Sequence, residues 1–174
     1  MPARVLVEGR PGSGKTTVAT RLADLLVERG IDVGGFVTHE VRERGRRVGF
    51  LVETIAGERA TLAHVGLSGP PRVGKYGVDL EAFERVALPV LEEPLLAGVV
   101  VIDEIGKMEL ASQHFRDSVS RLFDGPAGLV ATIHVFGDPF TDALKRRPDV
   151  ERVRLTRESR DALPEQLAAT LAAT

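Results

Sequence analysis

Cysteine is absent from the 174-residue sequence. Disulfides, thiol nucleophiles and cysteine-ligated zinc go with it, although that absence alone fixes no compartment. Neither sign of charge is in excess. The formal net charge is −2, which gives no general electrostatic grip on nucleic acid or on an anionic membrane. No uninterrupted apolar run approaches the roughly 20 residues needed to cross a bilayer. The start, Met1-Pro-Ala-Arg-Val-Leu-Val-Glu-Gly9, enters a strand-like run at once, without the basic lead and apolar core of a signal peptide. Four histidines (39, 64, 114 and 134) are present, but not at metal-ligand spacing. They read as surface or strand-end residues and receive no role. These absences predict a soluble, cytoplasmic protein of one domain, 1–174, large enough to bury a core.

What is present alternates between strand and helix patterns. Ala3–Glu8 reads as a buried strand ended by a glycine-rich turn. Val18, Leu22, Leu25 and Leu26 then share one helical face, with Gly30 placed to stop the helix. Val33–Val41, Arg47–Thr54 and Arg59–Val65 read as successive strands with no helix between them, which predicts antiparallel pairing. The stretch 70–77 is rich enough in glycine and proline to read as a loop. Asp79 is placed to cap a helix that Pro89 bends or shortens. Gly98–Ile102 is a continuous apolar run, the pattern of a central parallel strand covered on both faces. A helix over Ser112–Phe123, a strand over Gly128–His134, a last strand over Val150–Leu155 and a C-terminal helix opened by Pro164 complete the chain. The predicted fold is α/β, with a mostly parallel central sheet and an antiparallel hairpin block.

The strongest motif is Gly9-Arg10-Pro11-Gly12-Ser13-Gly14-Lys15-Thr16, which fits G-x-x-x-x-G-K-[ST] in full. Average composition produces that match by chance in fewer than about one chain of this length in a hundred. Here it also lies between a predicted strand and a predicted helix. Glycines let the backbone N–H groups wrap phosphates, and the helix that follows, with Thr17 in its first turn, adds its positive end. Lys15 is placed to bridge the β- and γ-phosphates, and the Thr16 hydroxyl to ligate Mg²⁺.

A second motif, Val99-Val-Val-Ile-Asp103-Glu104, runs four apolar residues into two carboxylates, followed by Ile105 and Gly106. A buried strand would deliver Asp103 to the C-terminal edge of the sheet, where it would hold Mg²⁺ directly or through the second shell. Glu104 is placed either to activate a water molecule or to form a structural ion pair.

The octet Asp103-Glu-Ile-Gly-Lys-Met-Glu-Leu110 resembles the signature of the small P-loop nucleoside-triphosphatases, known from thermophiles and as the human cancer-related nucleoside triphosphatase. The similarity extends to Gly35-Phe-Val-Thr-His-Glu40, Arg47-Val-Gly-Phe50, Pro71-Arg-Val-Gly-Lys-Tyr-Gly-Val78, Val130-Ala-Thr-Ile133 and Thr156-Arg-Glu-Ser-Arg160. It implies a three-layer RecA-like P-loop fold. It also implies slow, Mg²⁺-dependent hydrolysis of ATP, GTP and other nucleoside triphosphates, with nucleotide-binding segments at Gly9–Thr16 and from Asp103 through Gly106. Ser159 departs from the asparagine expected near that position, which puts a base-contacting role for its loop in doubt.

Four further residues are candidates. Lysine is scarce, at four residues against nineteen arginines, and Lys75 and Lys107 fall inside the motifs. Each reads either as a contact to phosphate or to the catalytic carboxylate, or as a solvated side chain. Arg72 reads as an in-chain arginine finger, as a salt-bridge partner or as a solvent-exposed side chain. Thr132 reads as a γ-phosphate sensor or as a threonine satisfying its own backbone. Nucleic acid is not an expected partner, because no aromatics interleave with the basic turn 41–47. Three functions remain open on this reading: a triphosphatase, a nucleotide or nucleoside kinase, and a nucleotide-dependent switch or scaffold.

Overall fold

The computed structural model describes residues 1–93 and 98–173. Strand β1 (Arg4–Glu8) leads through the glycine-rich turn into helix α1 (Lys15–Glu28). The helix stops where Gly30 predicts: the Gly30 N–H donates to the Val27 carbonyl and the Ile31 N–H to that of Leu26, which satisfies the last carbonyls. Strands β2 (Asp32–Glu43), β3 (Arg46–Thr54) and β4 (Arg59–His64) follow without a helix, as expected. Asp79 caps α2 (Leu80–Glu92) by accepting from the Ala82 N–H at 3.0 Å, and Pro89 does not cut that helix short. Next come β7 (Gly98–Ile105), a 3-10 turn (Glu109–Ala111), α3 (Gln113–Asp124), β8 (Gly128–Ile133), α4 (Pro139–Lys145), β9 (Glu151–Arg154) and α5 (Leu163–Ala172).

Two features differ from the sequence reading. The 70–77 stretch is not wholly loop: Arg72–Val73 (β5) and Tyr76–Val78 (β6) form a small hairpin that pairs with β4. It is held because Tyr76 is buried against the Phe50 ring, centroids 5.3 Å apart, which outweighs the poor strand propensity of its neighbours. Helix α4 has no counterpart in the sequence reading. Asp138 caps it through the N–H groups of Phe140 and Thr141, with Pro139 at its first position.

Among the described residues the strands join one sheet in the order β5-β6-β4-β3-β2-β7-β8-β1-β9. From β2 to β9 every pairing is parallel, and from β2 to β5 every pairing is antiparallel. Helices α1 and α5 bury one face with Val5, Val7, Val99, Val101 and Val130. Helices α2 and α3 bury the other with Leu6, Phe36, Val100 and Ile102. The alternation of faces along β1 and β7 explains why these strands are apolar throughout. Three layers result, and the C-terminal ends of β1, β7 and β8 share one edge.

Gly35 keeps β2 and β7 in register. It sits at φ +104°, and a Cβ there would collide with the Val101 carbonyl. Gly35→Ala is therefore expected to cost about 2–4 kcal/mol. A thermal melt should show a drop of at least about 5 °C, and an unchanged melting temperature would refute the steric argument.

Candidate active site

The glycine-rich turn presents a bare helix end. Gly14 occupies the N-cap position of α1, no side chain caps it, and no acidic residue lies in the first turn. The first N–H groups of α1 thus lack a side-chain acceptor and point their positive end outward, the arrangement that receives phosphate oxygens. Arg10, Pro11, Gly12 and Thr17 are exposed around it, and Ser13 N–H closes the turn on the Arg10 carbonyl at 3.1 Å. Lys15 folds back across the turn. Its Nζ donates to the Gly9 carbonyl at 2.7 Å and lies 3.2 Å from Glu104 Oε2.

Asp103 stands at the end of β7 with 1% of its surface exposed. Three threonines from three different elements meet on it. The Thr16 hydroxyl donates to Oδ2 at 2.7 Å and the Thr132 hydroxyl to Oδ1 at 2.6 Å, while the Thr38 N–H and hydroxyl approach Oδ2 at 3.3 and 3.4 Å. Burial raises the Asp103 carboxyl above its ordinary range. The Thr132 and Thr16 hydroxyls and the Thr38 N–H pull it back down, and the Glu104 charge pushes it further up. The result is a fixed carboxylate that ties the phosphate-binding turn, β2 and β8 to one point. Strand β8 lies between β1 and β7, with Thr132 opposite Val7. That order is why a threonine on β8 can reach Asp103.

Glu104, the next residue, differs in every respect: its side chain is 30% exposed and its nearest cation is Lys15. Ile105 and Gly106 are buried behind it and shape the backbone rather than offer a side chain to ligand.

The remaining candidates scatter. Arg72 donates to the carbonyls of Leu67 and Lys75 at 2.9 and 3.1 Å, so its guanidinium braces its own loop. Lys75 Nζ lies 5.5 Å from the Tyr76 ring centroid, and Lys107 Nζ lies 4.4 Å from that of Phe136. In the basic hairpin, Glu40 pairs with both Arg42 and Arg47, and Arg47 Nε also donates to the Tyr76 hydroxyl at 2.9 Å. Ser159 closes its loop on Thr156, and the Arg160 side chain lies across Gly14.

Sequence reasoning missed Thr38 and Glu109, both inside stretches that carry the family resemblance. Of the histidines expected at the surface or at strand ends, His134 follows the end of β8 and is buried. It sits 3.1 Å from the Thr141 hydroxyl and accepts Lys145 Nζ at its carbonyl, anchoring α4. Burial, with the nearby Lys145 charge, holds its imidazole below the usual range.

A protein-family model described as NTPase matches residues 4–168. The chain belongs to this NTPase family. It is 41% identical over 169 residues to nucleoside-triphosphatase THEP1 of Thermotoga sp. strain RQ2, covering 97% of this chain and 95% of that one. It is 42% identical to the human cancer-related nucleoside-triphosphatase, covering 94% and 93% of the two chains. The crystal structure of THEP1 from Aquifex aeolicus superposes with a TM-score of 0.85 at 34% identity, over 97% of this chain and 98% of the other. The α/β fold of the NTPase family is thereby shown. Among the described residues no helix is long and apolar enough to cross a membrane.

Proposed function

We propose that this NTPase hydrolyses nucleoside 5′-triphosphates to diphosphate and phosphate, slowly, with Mg²⁺ and with broad tolerance of the base. The observation that carries the reading is Glu104. Its side chain is part exposed, set one residue beyond the clamped Asp103, with Oε2 buried 3.2 Å from the ammonium of Lys15. The part-exposed side chain gives this carboxylate a path to water once Lys15 withdraws from Oε2, whereas Asp103 is enclosed by threonines.

The residues fit Mg²⁺. Thr16 and Asp103 offer hard oxygen donors, and among the described residues no group of three His, Cys, Asp or Glu side chains forms a metal cage. Mg²⁺ is bound in this way, through one or two protein oxygens, with substrate phosphates and water completing its shell. Thr16 and Asp103 would hold it, and the ion would supply charge neutralisation on the phosphates. The chain does the rest. Backbone N–H groups of Gly9–Thr16 grip the phosphates, and Lys15 exchanges the Gly9 carbonyl and Glu104 for them. Thr132 holds Asp103 in place from β8. Glu104, released from Lys15, orients a water molecule and takes its proton.

The groups named grip phosphate or the ion, hold Asp103, or face water, and none reads a base edge, which supports broad base tolerance. Slow turnover fits the commitment of Arg72 to two carbonyls, since an arginine at the γ-phosphate adds roughly 10³–10⁵ in rate. The same commitment, with Arg42 and Arg47 tied to Glu40, argues against an arginine lid that would exclude water in favour of another acceptor.

Phosphate release from MgATP and MgGTP should be steady, and indifferent to an added panel of nucleosides and nucleoside monophosphates. Negligible release alone, with one panel member becoming phosphorylated, would make the protein a kinase.

A further inference from the structure

Glu109 is a buried carboxyl that the reaction just described does not use. It opens the 3-10 turn that follows β7 and is 3% exposed. Among the described residues no cation pairs with it. Its immediate surroundings are the backbone of its own turn and the other two carboxyls of the motif.

The turn that carries it is held from several sides. The Leu110 N–H donates to the Gly106 carbonyl at 2.9 Å, and the Ser112 N–H to that of Glu109 at 3.0 Å. Arg116 Nε donates to the Leu110 carbonyl at 2.7 Å, and the Ser112 hydroxyl to Glu84 at 2.6 Å. Leu110 itself is buried in the core beneath α2 and α3. Glu109 is therefore delivered by a fixed platform.

Where it points is recorded at Gly106. A Cβ built on that residue would lie 2.8 Å from Glu104 Oε1 and 3.1 Å from Glu109 Oε2. The two carboxyl groups thus converge on the one α-carbon between them that carries no side chain. Glu104 is approached differently at its two oxygens: Lys15 lies against Oε2, and Oε1 faces the Gly106 and Glu109 side.

We propose that Glu109 is a positioning residue for Glu104, bracing its carboxylate from the Oε1 side so that it stays aimed once nucleotide draws Lys15 away from Oε2. The inference rests on Glu104 acting as the base. Without Glu109, the departure of Lys15 would leave a carboxylate free to rotate at the moment it has to face water. Burial, reinforced by the charges of Glu104 and Asp103, raises the Glu109 carboxyl above the usual range, while the backbone N–H groups of Glu109 and Gly106 pull it back. Gly106 belongs to the same device, because a side chain there would wedge the two groups apart.

The test is a kinetic cycle with phosphate release and fluorescent-nucleotide binding on folded variants. Glu109→Leu is expected to lower kcat by about 10²-fold, the scale of a reacting group set about 1 Å out of place, with KM and nucleotide affinity unchanged. Glu109→Gln keeps the length and hydrogen-bonding reach of the side chain, and is expected to retain kcat within about threefold. Glu109→Leu added to Glu104→Gln is expected to cost nothing more, as for two residues acting as one unit. If Glu109→Leu does not fold, Gly106→Ala keeps both carboxyl groups but forces them apart, and should reproduce the loss of kcat at constant KM. Wild-type kcat in Glu109→Leu, or in Gly106→Ala where that variant stands in, overturns the proposal, as does an equal loss in the presence and absence of Glu104, or failure of Glu109→Gln to rescue. Should Glu104→Gln itself keep full kcat, the assignment of Glu104 as the base falls first and takes this inference with it.

Discussion

Replacing Lys15 with alanine is expected to reduce triphosphate hydrolysis by about 10³-fold or more, and to weaken nucleotide binding with it. One donor aimed at developing charge is worth roughly 10²–10³ in rate, and Lys15 does more than donate. It is the only cation paired with Glu104 among the described residues. It also ties the start of the phosphate-binding turn to the start of α1 through the Gly9 carbonyl. Its removal leaves Glu104 beside Asp103 with no opposing charge, which disfavours a second anion, the triphosphate, at the same place. The fold should survive, because the buried anchors of α1, Val18, Leu22, Leu25 and Leu26, lie further along the helix, away from its N-terminal end at the site. Circular dichroism and a melting temperature close to wild type would establish that. Near-normal hydrolysis in Lys15→Ala would remove the claim that this turn holds the substrate phosphates.

The parts of this site legible in the sequence are those built from consecutive residues. The strand, glycine turn and helix from Arg4 to Glu28 carry their own signals: an apolar run, then glycines, then a helical apolar stripe. The same holds for β7, where four apolar residues announce a covered strand and the two acids announce its end. What was not legible depends on contacts between distant segments. Thr38 reaches Asp103 because β2 pairs with β7, register Phe36 to Ile102, and no local pattern states that register. Glu109 looks like a surface glutamate in sequence; its burial comes from α2 and α3 packing over the turn. The seven residues of α4 are too few for a helical period to show, although Asp138-Pro139 is a cap signal that could have been read. Arg72 was a candidate finger by its setting among glycines, but the hairpin of β5 and β6 turns its guanidinium onto carbonyls. Composition and motif fixed which chemistry was present, and topology decided which residues shared it.

Glu104→Gln separates catalysis from binding most sharply. The amide keeps the volume of the carboxylate and loses its charge, so the variant should hold Mg²⁺-nucleotide at wild-type affinity or somewhat better. Tighter binding is the direction to expect, since Lys15 no longer leaves an ion pair at 3.2 Å in order to meet the phosphates. Hydrolysis should fall by about 10²–10⁴-fold, the contribution of a general base, and the loss should appear in kcat with KM little changed. Asp103 makes the contrast. Its carboxylate accepts from Thr16, Thr132 and Thr38 and is buried, so Asp103→Asn would disturb the turn, the ion and both flanking strands together, lowering affinity as well as rate. Titration with a fluorescent triphosphate, set beside single-turnover phosphate release, distinguishes the two patterns. If affinity collapses with rate in Glu104→Gln, the residue is a metal ligand or a structural partner of Lys15. In that event water is activated by another group, and the part-exposed carboxylate at the end of β7 is there to hold the lysine.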